Sequence, residues 1–139
     1  MNRSLELEEV VMLNKYSDEN KKIAMGFLSY ISDFKDLNNL EQELKLYSED
    51  ENRQLYLWKS NIEDYSGIVA LSFSKKTVFI EYISLNPSYR SQSNIFKIFD
   101  DIQQKFPDYV ILGNFNLSDQ LKHWRQNKEK LEKDMKETN

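Results

Sequence analysis

The sequence has no cysteine and is poor in the two residues that most often break regular structure, with three glycines and two prolines among 139 residues. A chain without cysteine forms no disulfide, binds no metal through a thiolate and has no cysteine nucleophile. The spacings of a nucleophilic triad, a zinc site and a Walker loop are also missing. We therefore expect neither a metal centre nor triad-type catalysis.

Long apolar runs and an excess of positive charge are missing as well. No apolar stretch approaches the roughly 20 residues that span a bilayer, and the N-terminus lacks a basic and then apolar signal. The net charge is −4 and the pI is near 5.1. Nucleic-acid surfaces usually carry a clustered excess of Lys and Arg. We expect a cytoplasmic protein that binds neither membrane nor nucleic acid.

The composition is that of a soluble globular chain, with 40% hydrophobic, 13% aromatic and 30% charged residues. A chain of this length supports one hydrophobic core. We assign residues 1–127 to a single domain. Residues 128–139 carry opposite charges at helical neighbour spacings but almost no apolar face, which predicts a C-terminal helix that frays.

One stretch organises the rest of the chain, because a buried strand, a polar loop and an amphipathic helix follow one another directly. The strand runs from Thr77 to Leu85 and ends before Pro87. Ser91, Ser93 or Asn94 can cap the helix, whose apolar face comprises Ile95, Ile98, Phe99, Ile102 and Phe106. The first N–H groups of such a helix point back over the end of the strand, which makes this loop an anion site.

The remaining pattern predicts the other elements. Short connections favour antiparallel neighbours, and the helical crossover makes the last strand parallel to the central one. The resulting order β, α, α, β, β, β, α, β, α predicts an α+β (three-layer α/β) fold with a mixed, mostly antiparallel sheet flanked by helices. The predicted strands are 5–13, 53–59, 67–74, 77–85 and 109–112, and the predicted helices are 21–31, 34–47, about 92–106 and 117–136.

Two of these elements carry more specific interpretations. In the first helix, Gly26 suggests close packing, and the apolar stripe comprises Ile23, Phe27, Tyr30 and Ile31. In strand 53–59, Leu55 and Leu57 lie on one face, and Gln54, Tyr56 and Trp58 on the other. The aromatic face either lines a groove or belongs to the core, which is the commoner place for strand aromatics.

The loop after the central strand reads Arg90-Ser91-Gln92-Ser93-Asn94-Ile95. It resembles the acyl-CoA pyrophosphate loop of the GNAT acetyltransferase superfamily, whose pattern is Gln or Arg, two residues, Gly, one residue, then Gly or Ala. Arg90 fits the first position, whereas Ser93 and Ile95 replace the two small residues. Over residues 21–125 the chain also resembles the RibT family, small bacterial GNAT-type proteins associated by name with riboflavin-synthesis genes. Three blocks carry that resemblance: 22–30, 53–59 and 83–90.

The resemblance implies an acetyl-CoA-dependent N-acetyltransferase that forms a ternary complex and transfers an acetyl group to an unknown amine, as a monomer or homodimer. In GNAT proteins the pantetheine arm lies where the central strand and the following parallel strand splay apart. Asn114 and Asn116, just past the short strand, either bind the pantetheine amides or serve turn chemistry. The implied cofactor-binding residues are Ile83, Leu85, Arg90, Ser91, Gln92, Ser93, Asn94, Ile95, Asn114 and Asn116.

Three residues are considered for acid–base chemistry, and Glu81 and His123 are the candidates. Glu81 lies on the central strand, where parts of the superfamily place a base, although a salt-bridged or solvated carboxylate is the ordinary alternative. The last helix lacks the tyrosine that often serves as the acid, and its nearest substitutes are His123, which a surface position also explains, and Trp124. A second hypothesis follows from Ser93, Ile95 and the missing tyrosine: a GNAT-shaped protein with weakened or lost CoA binding that acts as a binding or regulatory partner.

Overall fold

Five strands form one sheet in the computed structural model, which describes residues 12–31, 34–61 and 64–138. The strands lie side by side in chain order, and four helices of the described ranges flank them. The order of elements confirms the predicted βααβββαβα pattern. The elements are β1 (Leu13–Lys15), α1 (Lys21–Leu28), α2 (Leu37–Glu49), β2 (Arg53–Lys59), β3 (Tyr65–Ser74), β4 (Thr77–Leu85), α3 (Gln92–Lys105), β5 (Val110–Gly113) and α4 (Ser118–Thr138).

The sheet is mixed and mostly antiparallel, as the sequence predicts. Strands β1 to β4 pair antiparallel, and β5 pairs parallel to β4. The parallel pair follows from the crossover through α3, since a strand that returns through a helix enters the sheet in the same direction. Most of the strand predicted for residues 5–13 lies within residues 1–11, which are outside the described residues. Strand β1 begins only at Leu13, which pairs with Trp58.

Each face of the sheet carries its own core. Helices α3 and α4 contribute Phe99 and Trp124 to one core, and α1 and α2 contribute Leu28 and Leu44 to the other. The alternation of strand side chains divides β2 between the two. Leu55 and Leu57 face α1 and α2, and Tyr56 and Trp58 face α3 and α4.

The groove interpretation of the aromatic face of β2 is wrong. Tyr56 and Trp58 are only 2% and 1% exposed. The indole Nε1 of Trp58 donates to Asp101 Oδ2 at 2.8 Å. This aromatic face therefore packs α3 against the sheet. Burying a large apolar area stabilises the fold more than leaving it in an open groove.

Helix α1 is shorter than predicted, and it buries a different set of side chains. It ends at Leu28, and its buried residues are Ala24, Phe27 and Leu28, whereas Ile23 and Tyr30 are exposed. Both stripes have helical spacing, so periodicity does not choose between them. The small Ala24 side chain favours the observed one, since it lets the helix approach the sheet closely. A Cβ added at Gly26 would meet no atom within 4 Å, so the prediction of close packing there is wrong.

Of the apolar stripe that the sequence of α2 predicts, Leu40, Leu44 and Tyr47 are buried, whereas Leu37 is 59% exposed at the start of the helix. Helix α2 begins at Leu37, three residues later than expected, because the Asp36 side chain caps it by accepting from the Asn38 N–H at 2.8 Å. Helix α4 buries Leu121 and Trp124 near its start and is exposed from residue 126 to residue 136. No helix in the described ranges is long and apolar enough to cross a membrane.

Candidate active site

Strands β4 and β5 separate in the middle of β4. Their pairing ends at Ile80 and Gly113. Just beyond it, the backbone N–H of Asn114 donates to Ile80 O at 3.2 Å, and its side-chain Nδ2 donates to Glu81 O at 2.6 Å. From Tyr82 onward, β4 has no strand partner on this side in the described part of the chain. The separation of the two strands leaves a cleft between them, and Glu81 and Asn114 lie at its inner end.

A β-bulge lies at the same place. The pairing of β3 with β4 skips Glu81, since Ala70 pairs with Tyr82 and Leu71 with Ile80. Ile80 belongs to the core under α3 and α4, whereas Tyr82 packs against the core under α1 and α2. In a regular strand these two side chains would share a face. The bulge therefore turns Glu81 and Tyr82 together towards α2.

The bulge leaves the backbone of the last β4 residues facing the open cleft. The N–H of Asn86 donates to the backbone carbonyl of Ser66 in β3 at 2.8 Å. Backbone groups in an antiparallel pair alternate in direction, so Ser84 also points to β3. Ile83 and Leu85 then point to the edge that β5 has left, as the resemblance implies.

A groove of about 430 Å³ lies along this edge. It brings together six of the predicted cofactor residues: Ile83, Leu85, Arg90, Ser91, Gln92 and Ile95. Ser93, Asn94, Asn114 and Asn116 are not among its lining residues. No sequence signal pointed to the others, which come from the end of α1, from β4 and from α4: Tyr30, Ile31, Ser84 and Gln120.

The N-terminus of α3 closes one end of the groove. Ser91 is its N-cap, and its Oγ accepts from the Asn94 N–H at 3.1 Å. The Asn94 side chain points back to the loop, where Nδ2 donates to Tyr89 O at 2.8 Å. Within the described residues, the N–H groups of Gln92 and Ser93 have no acceptor. They are the donors that a helix start offers to an anion.

The side chains that replace glycine in this loop cause no backbone strain. Among the described residues, only Lys75 has a positive φ, at 53°. Ser93 and Ile95 both lie in the first turn of α3, where any residue is accommodated. Ile95 lines the groove and also packs against the core. Its side chain therefore narrows the groove without distorting the loop.

Arg90 is held at the groove by two contacts. Its Nε donates to Leu85 O at 3.0 Å, and its guanidinium carbon lies 4.9 Å from the centre of the Tyr30 ring. A guanidinium held in this way keeps its terminal N–H groups for a further acceptor.

A polar cluster lies on the α2 side of the bulge. Ser72 Oγ donates to Glu81 Oε2 at 2.7 Å, and Tyr82 OH donates to Glu43 Oε2 at 2.8 Å. Burial and, next, the Glu43 carboxylate raise the pKa of Tyr82 and of Tyr47 well above the usual tyrosine range. Both tyrosines therefore remain protonated, and Tyr82 acts as a donor to Glu43, while Glu81 keeps one carboxylate oxygen outside the Ser72 hydrogen bond.

The structure separates the two substitutes for the missing tyrosine from the groove. His123 is exposed on α4 and does not line the groove. Trp124 is buried, and its Nε1 donates to Asp100 Oδ1 at 2.9 Å, which leaves it no free donor. Asn116 is exposed in the turn before α4. No group of three or more acidic or histidine side chains in the described ranges is placed to hold a metal ion.

Solved structures share this fold. A possible acetyltransferase from Clostridium difficile 630 superposes with a TM-score of 0.59 at 11% identity, over 84% of this chain and 90% of that one. AAC(6')-Iy, in complex with the bisubstrate analogue CoA-S-monomethyl-acetylneamine, superposes with a TM-score of 0.54 at 10% identity, over 73% of this chain and 77% of that one. At these identities the likeness concerns the fold alone. No family model matches the sequence.

A sequence relative decides the family. A protein of Bacillus methanolicus, named as an uncharacterized N-acetyltransferase in the lysA 3' region, is 39% identical over 106 residues, which cover 76% of this chain and 88% of the relative. The chain belongs to the GNAT superfamily of N-acetyltransferases. In this GNAT chain the open edge of β4 beyond the bulge and the start of α3 meet at one groove.

Proposed function

We propose that this GNAT protein transfers an acetyl group from acetyl-CoA to an amine. The observation that carries the proposal is the groove at the β4–β5 opening, which unites the open edge of β4 with the N-terminus of α3. An extended amide-bearing chain needs such a strand edge, and a pyrophosphate needs such a helix start. Acetyl-CoA contains both parts.

An orphaned buried atom supports a bound pantetheine arm. Asn114 Oδ1 is buried and has no hydrogen-bond partner among the described residues. Its orientation is fixed because Nδ2 donates to Glu81 O. A buried acceptor without a donor is costly, and an amide N–H of the cofactor would satisfy it. The backbone groups of Ile83 and Leu85 on the open edge would hold the rest of the arm.

The start of α3 would hold the pyrophosphate. The donors there are the N–H groups of Gln92 and Ser93, the Ser91 hydroxyl and the Arg90 guanidinium. The positive end of the α3 dipole adds to their attraction. The Ile95 side chain limits how deeply a phosphate can enter the groove at the start of α3, so the phosphates would lie towards the outer end of the groove.

Glu81 is the group that we propose as general base. The cofactor, when bound, supplies the acetyl thioester. Glu81 lies at the inner end of the cleft, and its carboxylate would accept a proton from the ammonium form of the acceptor, directly or through a water molecule, so that the neutral amine attacks the thioester carbonyl. The new C–N bond would form as the thioester C–S bond breaks, and the proton that the amine nitrogen then loses would pass through solvent to the departing CoA thiolate. The backbone N–H of Ile83, which points into the cleft, would donate to the oxygen that develops negative charge.

The acceptor would reach Glu81 from the sheet face opposite α3. On that face Val110 and Leu112 of β5 are 57% and 45% exposed. Leu112 pairs in register with Phe79, two residues before Glu81. This uncovered part of the sheet is open to an amine substrate. The resemblance of three sequence blocks supports a RibT-like N-acetyltransferase of the cytoplasm whose acceptor is an unknown amine, from a family associated by name with riboflavin synthesis.

Calorimetric titration with acetyl-CoA and with CoA tests the proposal. We expect micromolar binding that Arg90→Ala weakens about ten-fold or more, because a charge-assisted hydrogen bond to phosphate is lost. Lys97→Ala is the matched control, since Lys97 is an exposed cation of α3 that does not line the groove. No binding by a folded wild-type protein would refute the proposal and favour the non-catalytic partner.

A further inference from the structure

Tyr30 has an unusual position for an aromatic residue. It follows the end of α1, its side chain is 47% exposed, and it lines the groove. The position is fixed by the backbone. The N–H of Tyr30 donates to Phe27 O at 3.2 Å, and the Ser84 hydroxyl donates to the same carbonyl at 2.6 Å. The backbone that carries this half-exposed ring is thus linked to β4 through the Phe27 carbonyl.

The Arg90 guanidinium lies on this ring. Its carbon is 4.9 Å from the ring centre, and its Nε donates to Leu85 O at 3.0 Å. The ring restrains the plane of the guanidinium, and the hydrogen bond restrains its direction. Arginine side chains lose considerable rotamer freedom when they bind an anion, and a guanidinium that is already restrained loses less.

We propose that Tyr30 is the positioning residue for Arg90, holding its guanidinium ready for the phosphates of the cofactor. The inference rests on the proposed function, because the anion is the pyrophosphate of acetyl-CoA. Tyr30 lies on the connection between α1 and α2, and Arg90 lies on the loop before α3. The stack therefore joins the two walls of the groove, and a change at the end of α1 alters the affinity for the cofactor.

The first experiment needs no cofactor. In the ligand-free protein we expect the Arg90 Nε–H to exchange slowly with solvent and to give an NMR signal shifted by the Tyr30 ring. Tyr30→Phe should preserve this signal and Tyr30→Leu should remove it. Tyr65→Leu is the matched control, because Lys59 lies over the Tyr65 ring at the same 4.9 Å but outside the groove.

The second experiment is a titration of the same variants with CoA. We expect Tyr30→Leu to weaken binding about two- to five-fold, the loss that corresponds to an exposed cation–π contact. Tyr30→Phe and Tyr65→Leu should bind as the wild type does. Because Tyr30 acts through Arg90, the double variant Tyr30→Leu/Arg90→Ala should bind no more weakly than Arg90→Ala alone.

The outcomes separate the two proposals. A loss of affinity in Tyr30→Leu that adds fully to that of Arg90→Ala would overturn the positioning role, and so would an unchanged Arg90 signal in Tyr30→Leu. A wild-type protein that shows the Arg90 signal, loses it in Tyr30→Leu and binds no CoA would refute the proposed function while supporting the restraint of Arg90 by Tyr30.

Discussion

Glu81 combines three local features in a single residue. It is the bulged residue of β4, its backbone carbonyl accepts from Asn114 Nδ2, and its carboxylate accepts from the Ser72 hydroxyl. The bulge gives the side chain its direction, and the two hydrogen bonds restrain its backbone and its carboxylate. Residues at such bulges often carry function because the extra residue redirects a side chain.

Replacing Glu81 by Gln tests its role as base. The amide keeps an oxygen for the Ser72 hydroxyl but accepts no proton, so we expect kcat to fall by about 10²- to 10⁴-fold. Affinity for CoA should stay within two-fold of the wild type, because Glu81 does not line the groove. The measurement is the release of free CoA with the best acceptor from a panel of primary amines.

A suitable control for this variant is Glu132→Gln, at an exposed position of α4. Undiminished turnover in Glu81→Gln would assign Glu81 to the ordinary role of a hydrogen-bonded strand carboxylate, and the search for the base would move to another group.

At the scale of elements, the start of α3 has two roles that share one residue, Ser91. Ser91 caps the helix by accepting from the Asn94 N–H, and it also lines the groove. The N–H groups of Gln92 and Ser93 remain for an anion, because the cap satisfies only one donor of the first turn. Helix stability and anion binding therefore depend on the same residue in different ways.

Two substitutions at Ser91 separate these roles. Ser91→Ala removes the cap and should cost about 1 kcal/mol of the free energy of unfolding. Ser91→Asp keeps the cap and favours the helix dipole, so stability should be retained. CoA affinity should nevertheless fall about ten-fold or more in Ser91→Asp, because a carboxylate opposes the phosphates. Thermal unfolding and calorimetry measure the two effects.

Asp36→Ala provides the comparison, since Asp36 caps α2 in the same way but does not line the groove. We expect a similar loss of stability and no loss of CoA affinity. Full CoA affinity in Ser91→Asp would argue that the phosphates lie away from the start of α3.

For the whole molecule, the sheet divides the protein into two layers with different tasks. The layer that contains α3 and α4 includes the N-terminus of α3, which is part of the proposed cofactor site. The layer that contains α1 and α2 faces Glu81 and Tyr82. The cleft between β4 and β5 interrupts the sheet between these two layers. The second half of α4 contributes little to either core, since residues 126–136 are exposed.

The assignment of residues 1–127 to the domain predicts that the chain tolerates removal of residues 128–139. The deletion removes the contact of Lys128 with the Trp124 ring, which lies 4.7 Å away, and the side chains of residues 128–136 are exposed. We expect the free energy of unfolding to change by less than about 1 kcal/mol, the upper value for one exposed cation–π contact. This corresponds to a shift in Tm of no more than about 5 °C.

Thermal unfolding and CoA titration of the shortened chain measure this. A protein that no longer folds, or whose Tm falls by much more, would show that the end of α4 belongs to the domain.

The sequence alone determined the order of the elements, the limits of β2 and β4 and the parallel pairing of β5. These features follow from local rules, namely the period of apolar residues, the position of Pro87 and the length of the connections. Six of the predicted cofactor residues meet in the groove for the same reason, since they lie in one continuous segment, 83–95.

Only the tertiary structure decided the rest of the site. Tyr30, just after the end of α1, and Gln120, in α4, reach the groove from segments that are distant in sequence, and nothing in their neighbourhood predicts this. The bulge at Glu81 depends on how β3 pairs with β4, so the turn of Tyr82 towards α2 is not visible in the alternation of β4 itself. Local patterns specify which side of an element is buried, whereas the packing of elements against one another determines which exposed groups meet.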